Sequence, residues 1–158
     1  MVSSILFGLI LLFIQIFKAS SLSFWGIVPN VLIGYSAYLG AYKQEKYSLP
    51  VIFFLALGYD LVTPETLGIN TLLLLLICWV TGILKQSILE PKLITVSVLS
   101  LLYNVLYYLV FGLFYSLQTE NMSYIFTTFG LSVVINSLFT IILFYFLLLL
   151  SHLKIIIR

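Results

Sequence analysis

The chain is 158 residues long, 63% hydrophobic and 8% charged, with a formal net charge of +2. Soluble domains carry about 25% charged residues, so a mean hydropathy of +1.23 excludes an ordinary water-soluble domain. The few basic residues are scattered along the chain, which excludes a nucleic-acid-binding surface.

Six apolar stretches are separated by short polar breaks, and the breaks hold nearly all of the ionisable residues. A hydrocarbon layer of roughly 30 Å needs about 20 helical residues, and each stretch is read as one membrane-spanning helix. The continuous apolar runs Leu72–Ile77 and Leu147–Leu150 break the alternation that a β-barrel strand requires.

The first span, Val2–Phe17, has no basic region before it and no clear cleavage site after it, so it reads as a retained helix rather than a secretory signal. The second, Leu22–Tyr42, contains Pro29, which predicts a kink. Asn30 beside it is placed to bond a freed carbonyl or a neighbouring span. Asn30, Gly34, Ala37 and Ala41 make a small-residue face, suited to close helix approach.

A charged turn (Lys43, Glu45, Lys46) leads into the third span, Tyr47–Val62, which ends in Gly58-Tyr59-Asp60. A carboxylate at mid-bilayer costs about 2.5–3.5 kcal/mol on insertion scales. Asp60 near the span's end is therefore either a buried polar contact that fixes the outer loop or a partner, or a helix-ending group facing headgroups. The sequence leaves both open. Asp60 to Gly68 reads as an outer turn in which Pro64 ends span three and Thr66 caps span four.

The fourth span, Leu67–Leu84, carries the single cysteine, Cys78. A lone cysteine forms no disulfide framework or cysteine metal site, and it reads as a small apolar filler. Lys85 and Glu90 flank a short loop, and Pro91 opens the fifth span, Leu93–Leu117. There Ser97, Ser100, Asn104 and Tyr107 share one face. The group Tyr103, Tyr107 and Tyr108 suits either a ligand ring or a neighbouring span. In the sixth span, Tyr124–Leu150, Thr128, Ser132, Asn136 and Thr140 recur every fourth residue. These two polar faces belong in a bundle interior, with packing preferred over a solute cavity. Trp25, Tyr42, Tyr47, Tyr115 and Tyr124 near span ends read as interfacial anchors.

With the amino terminus inside, Lys43, Lys46, Lys85, Lys92, Lys154 and Arg158 all fall on the cytoplasmic side, and Lys18 alone falls outside with Asp60, Glu65 and Glu120. This agrees with the positive-inside rule. It gives an all-α membrane protein of six spans, with both termini inside and a single integral membrane domain. Reactive chemistry is sparse. His152 is the one histidine and reads as an interfacial residue, so neither a metal site nor an acid–base pair is expected, and no cofactor is implied.

The order of features resembles the MreD family of bacterial rod-shape membrane proteins. The likeness rests on Pro29 followed by a short polar residue, the Gly58-Tyr59-Asp60 ending of span three, and Leu67-Gly68 after a short turn. The family usually shows Pro-Asp in the second span. Here Asn30 takes the aspartate's place, keeping hydrogen bonding but losing charge. The resemblance implies a six-helix fold similar to the substrate-binding subunits of energy-coupling-factor vitamin transporters. It also implies a non-enzymatic elongasome scaffold with an MreC-like bitopic partner, supporting peptidoglycan synthesis by a RodA-type glycosyltransferase and its class B penicillin-binding protein. MreB-like filaments would be linked inside, and the setting would be the bacterial cytoplasmic membrane. The residues expected to bind the partner or hold the structure are then Pro29, Asn30, Gly58, Asp60, Leu67 and Gly68. Ser100, Asn104, Tyr107, Ser132 and Asn136 form the interior polar face. The alternative function is a vitamin-binding subunit of an energy-coupling-factor transporter, motivated by those polar faces. An intramembrane enzyme is the third and weakest reading, since only Asp60 and distant single residues are on offer.

Overall fold

A computed structural model of the chain describes residues 2–17, 23, 27–63, 68–88, 93–119 and 123–152. The secondary-structure elements among them are six helices: α1 (Val2–Phe17), α2 (Val31–Tyr42), α3 (Glu45–Val62), α4 (Ile69–Ile88), α5 (Leu93–Thr119) and α6 (Ser123–His152). Apolar stretches within α5, Ile94–Phe114, and α6, Phe129–His152, are long and apolar enough to cross a membrane. Ser4–Phe17, Val31–Tyr42 and Ile69–Lys85 are apolar but shorter.

Five helices lie close to the expected bounds. The second does not. The expected helix over 22–42, kinked at Pro29, is replaced by an α2 that starts only at Val31, so Pro29 lies outside any helix. Two local causes combine. Proline disfavours helical geometry in the residue before it, and Asn30 acts as the N-cap, its side chain accepting from the Leu32 amide at 3.0 Å. At 1.5 Å per residue, the 12 residues of α2 give about 18 Å, well short of a hydrocarbon layer.

This short helix is the centre of the molecule. It touches all five others, most extensively α4 and α6. Every residue from Val31 to Ala41 is buried, as expected of a helix apolar all round. Gly40 lets it approach α4: a Cβ there would stand 2.3 Å from the Cys78 carbonyl oxygen and 2.9 Å from Thr81 Cβ. Gly34 lies against Leu143 of α6, as the small-residue face predicted, and Ala37 and Ala41 are buried with it. Large apolar side chains face outward around this core, among them Phe54 (70% exposed), Leu72 (62%), Ile94 (76%) and Ile142 (66%). So much exposed hydrocarbon needs an apolar solvent or partner to cover it.

Candidate functional site

Asp60 decides the chemistry at one end of the bundle. It sits in the last turn of α3 and is fully buried, so the reading in which it faces headgroups is set aside. Its partners are uncharged and all lie in the first turn of α4. Oδ1 accepts from Asn70 Nδ2 at 2.8 Å; Oδ2 accepts from the Thr71 amide at 2.9 Å and the Thr71 hydroxyl at 2.6 Å. Gly68 sets up this approach. Its φ of +88° is open to glycine at little cost, and its carbonyl accepts from the Leu72 amide as α4 begins.

From the carboxylate a relay runs through the interior, and its polarity can be worked out from one end. A carboxylate offers only acceptors, so Asn70 must turn its NH2 toward Asp60 and its oxygen away. That oxygen takes the hydroxyl proton of Tyr107 on α5. The Tyr107 oxygen is then left to accept, and Asn30 Nδ2 donates to it at 2.9 Å. Asn30 is left with its oxygen, which caps α2. Every donor in the chain points toward Asp60, an arrangement in which each bond polarises the next.

Two more contacts bring in the remaining helices. Asn136 Oδ1 of α6 accepts from the Asn30 amide at 2.6 Å, and its own Nδ2 donates to the Ser132 carbonyl at 3.0 Å. Gln15 Oε1 of α1 accepts from the Val31 amide at 2.9 Å, and the Gln15 side chain also hydrogen-bonds the Tyr59 hydroxyl. A helix start leaves unsatisfied N–H groups. Here the amides of Asn30, Val31 and Leu32 go to Asn136, Gln15 and Asn30 respectively. Non-helical backbone at membrane depth is tolerated only when protein covers and satisfies it, and Pro29 and Asn30 are both buried. One connected network thus ties all six helices together.

The structure therefore brings together Asn30, Asp60, Tyr107 and Asn136 from the expected set. Pro29 fixes the cap beside them. Gly58, one turn from the helix end, lies against Leu12 of α1 and takes no part in the relay. Leu67 lies outside the described residues, as do Pro64, Glu65 and Thr66 of the outer turn. Ser100, Asn104 and Ser132 are buried on the α5–α6 seam, where Asn104 Nδ2 donates to the Ser100 carbonyl at 2.8 Å and to Thr140 Oγ1 at 3.2 Å. Tyr103 meets Thr81 of α4 at 2.7 Å. Tyr103 and Tyr107 are thus engaged by neighbouring helices, and Ser100, Asn104, Ser132 and Asn136 are buried between them. Gln15, Asn70 and Thr71 were not singled out from sequence. For the last two, the signal was an Asn-Thr pair at the start of a leucine-rich run, one turn after an acidic helix end.

The sequence profile of the family described as rod shape-determining protein MreD matches residues 1–154 of the 158-residue chain. The chain belongs to the MreD family. MreD proteins are membrane proteins with a role in determining rod shape. No curated protein and no solved structure matches the chain. Asn30 now has a physical reading: an aspartate would cap α2 equally well, but it has no N–H to donate to Tyr107.

Proposed function

We propose that this MreD-family protein is a non-enzymatic scaffold in the bacterial cytoplasmic membrane. It crosses the bilayer six times with both termini inside, and it shares its general architecture with energy-coupling-factor substrate-binding subunits. In this reading it holds an MreC-like bitopic partner. Through that partner it supports peptidoglycan elongation by a RodA-type glycosyltransferase and its class B penicillin-binding protein, with MreB-like filaments inside.

The observation that carries the proposal is the family match over nearly the whole chain. The state of Asp60 supports the scaffold part. Among the described residues it is the buried carboxylate, and both its oxygens accept from α4, which supports an architectural role. The polar faces that motivated a vitamin site support packing for the same reason.

The test is affinity capture of the tagged protein from bacterial membranes, together with depletion in rod-shaped cells. The expected results are recovery of a bitopic MreC-like protein and rounding of the cells. Intact rods after depletion, with no bitopic partner recovered, reject the proposal. Asp60→Ala is expected to lower partner recovery more than Glu65→Ala, because it unties α3 from α4. Equal recovery with both variants removes the Asp60 end from the interface.

A further inference from the structure

The relay fixes the relative heights of the helices. Its hydrogen bonds hold Asn30 before α2, Asp60 in the last turn of α3, Asn70 in the first turn of α4, Tyr107 of α5 and Asn136 of α6 in one layer. The alignment continues below it, where Asn104 of α5 meets Thr140 of α6 and Gly40 of α2 lies on Cys78 of α4. Measured from this layer, the helices are even on one side and uneven on the other. Toward the lysine-bearing end, α3 runs back to Glu45, α4 on to Lys85 and α5 back to Leu93, each about 21–22 Å at 1.5 Å per residue. Toward the other end, α3 stops at Val62 and α4 starts at Ile69, about 3 Å or less past the layer. There α5 continues to Thr119 and α6 starts back at Ser123, about 18–20 Å beyond the layer.

The distribution of charge follows these lengths. Past Val62 the chain reads Thr63-Pro64-Glu65, and Lys18 comes three residues after Gln15, which bonds into the layer through the Val31 amide. Charge therefore arrives close to the layer on the side of α1 and α3. Beyond the same layer, Tyr108 to Thr119 of α5 and Ser123 to Ile135 of α6 hold no charged residue. Leu109, Leu113, Leu131 and Val134 lie in these stretches and are exposed. A lysine or a glutamate is costly in hydrocarbon, whereas exposed leucines are suited to it.

We infer that the lipid-facing belt of this protein is a wedge, and that the leaflet on the Asp60 side slopes across it, thinned beside α3 and α4 and thickened beside the outer halves of α5 and α6. The uncharged stretches Tyr47–Val62 of α3 and Ile69–Leu84 of α4 are about 24 Å tall. Leu93–Leu117 of α5 and Tyr124–Leu150 of α6 are about 37–40 Å tall. A hydrocarbon layer of roughly 30 Å lies between the two heights. Tilting the whole body shortens both in proportion and leaves them unequal. The bilayer must adapt instead, thinning against a short span and thickening against a long one. The inference rests on the six-crossing part of the reading above and not on any partner protein.

The test uses the full-length chain, reconstituted alone in phosphatidylcholine vesicles, with a nitroxide on single cysteines in a Cys78→Ser background. Electron paramagnetic resonance would compare collisions with oxygen, which concentrates in hydrocarbon, and with a water-soluble nickel complex. Val62→Cys and Leu109→Cys are the informative pair. Each lies two residues beyond the layer, on opposite sides of the body, and each is exposed. The expected result is an oxygen-to-nickel collision ratio several-fold lower at Val62→Cys than at Leu109→Cys. Equal ratios overturn the inference in either form: both high means a flat leaflet, and both low means that the outer halves of α5 and α6 stand clear of the membrane. Should either variant fold poorly, Leu61→Cys and Val134→Cys, also exposed, replace the pair with the same expectation. Leu102→Cys, exposed on α5 below the layer, separates this inference from the reading it rests on. It lies deep in hydrocarbon in any six-crossing arrangement, so a nickel-accessible Leu102→Cys rejects the crossings and the wedge together. An apolar Leu102→Cys with equal ratios at the pair rejects the wedge alone.

Discussion

Asp60 sets the orientation of groups that it never touches, and this gives the sharpest prediction at the scale of single residues. Replacing Asn30 with aspartate puts an acceptor at each end of the relay. Tyr107 and Asn70 can then satisfy one end only, leaving two oxygens opposed in the interior. Asn30→Asp should lower stability by about 1–2 kcal/mol, in line with one buried hydrogen bond lost. Adding Asp60→Asn permits every amide and the hydroxyl to reverse, so the double variant should recover stability relative to Asn30→Asp. Thermal unfolding in detergent across this double-mutant cycle should show a coupling of about 1 kcal/mol or more between two residues that share no contact. Strict additivity contradicts the relay. Tyr107→Phe removes the central link and should cost about 1–2 kcal/mol by the same measurement, and an unchanged midpoint rejects its role. Four members of this network were visible in the sequence as polar residues in apolar surroundings. Their connection was not, because spacing along one helix says nothing about which helix faces it. Asn70 and Thr71 meet Asp60 across a turn, a relation that no single-helix periodicity carries.

At the scale of elements, α2 is where sequence and structure part. Hydropathy reads apolar residues without reading backbone, so Leu22–Tyr42 looks like one long helix with a proline inside it. The Pro29-Asn30 pair is in fact a helix start. Its signal, a capping residue immediately after a proline, is hidden within an apolar run. The other five helices were legible because a polar break marks each of their ends. The packing of α2 was half legible: Gly34, Ala37 and Ala41 stood out, whereas Gly40, the tightest contact, fell off that face. Gly40→Ala drives a methyl into the backbone of α4 and should destabilise by about 1–3 kcal/mol, the usual cost of overpacking. Gly130→Ala in α6, with open space around its Cβ position, should be neutral or slightly stabilising through helix propensity. Equal unfolding midpoints for the two variants would show that α2 and α4 are not in close contact.

For the whole molecule, a short buried helix surrounded by five others makes a fitted body, with an uncharged relay closing on Asp60 at one end. An arginine at Ala37, buried on α2, should abolish accumulation of the protein, since a charge there has neither water nor a partner. Normal levels of Ala37→Arg on a membrane immunoblot would show that α2 is not central. The alternation of lysines, read from sequence, assigns the turn at Lys43 to Lys46 to the cytoplasm and Asp60 to the outside. Site-specific labelling tests that assignment most directly. In a Cys78→Ser background, single cysteines at Gln44, Thr66, Met122 and Arg158 would be exposed to a membrane-impermeant maleimide in intact cells and after lysis. Six crossings with both termini inside predict labelling of Thr66→Cys and Met122→Cys in intact cells, and of Gln44→Cys and Arg158→Cys only after lysis. Labelling of Gln44→Cys and Thr66→Cys from the same side, or of Arg158→Cys in intact cells, would contradict it.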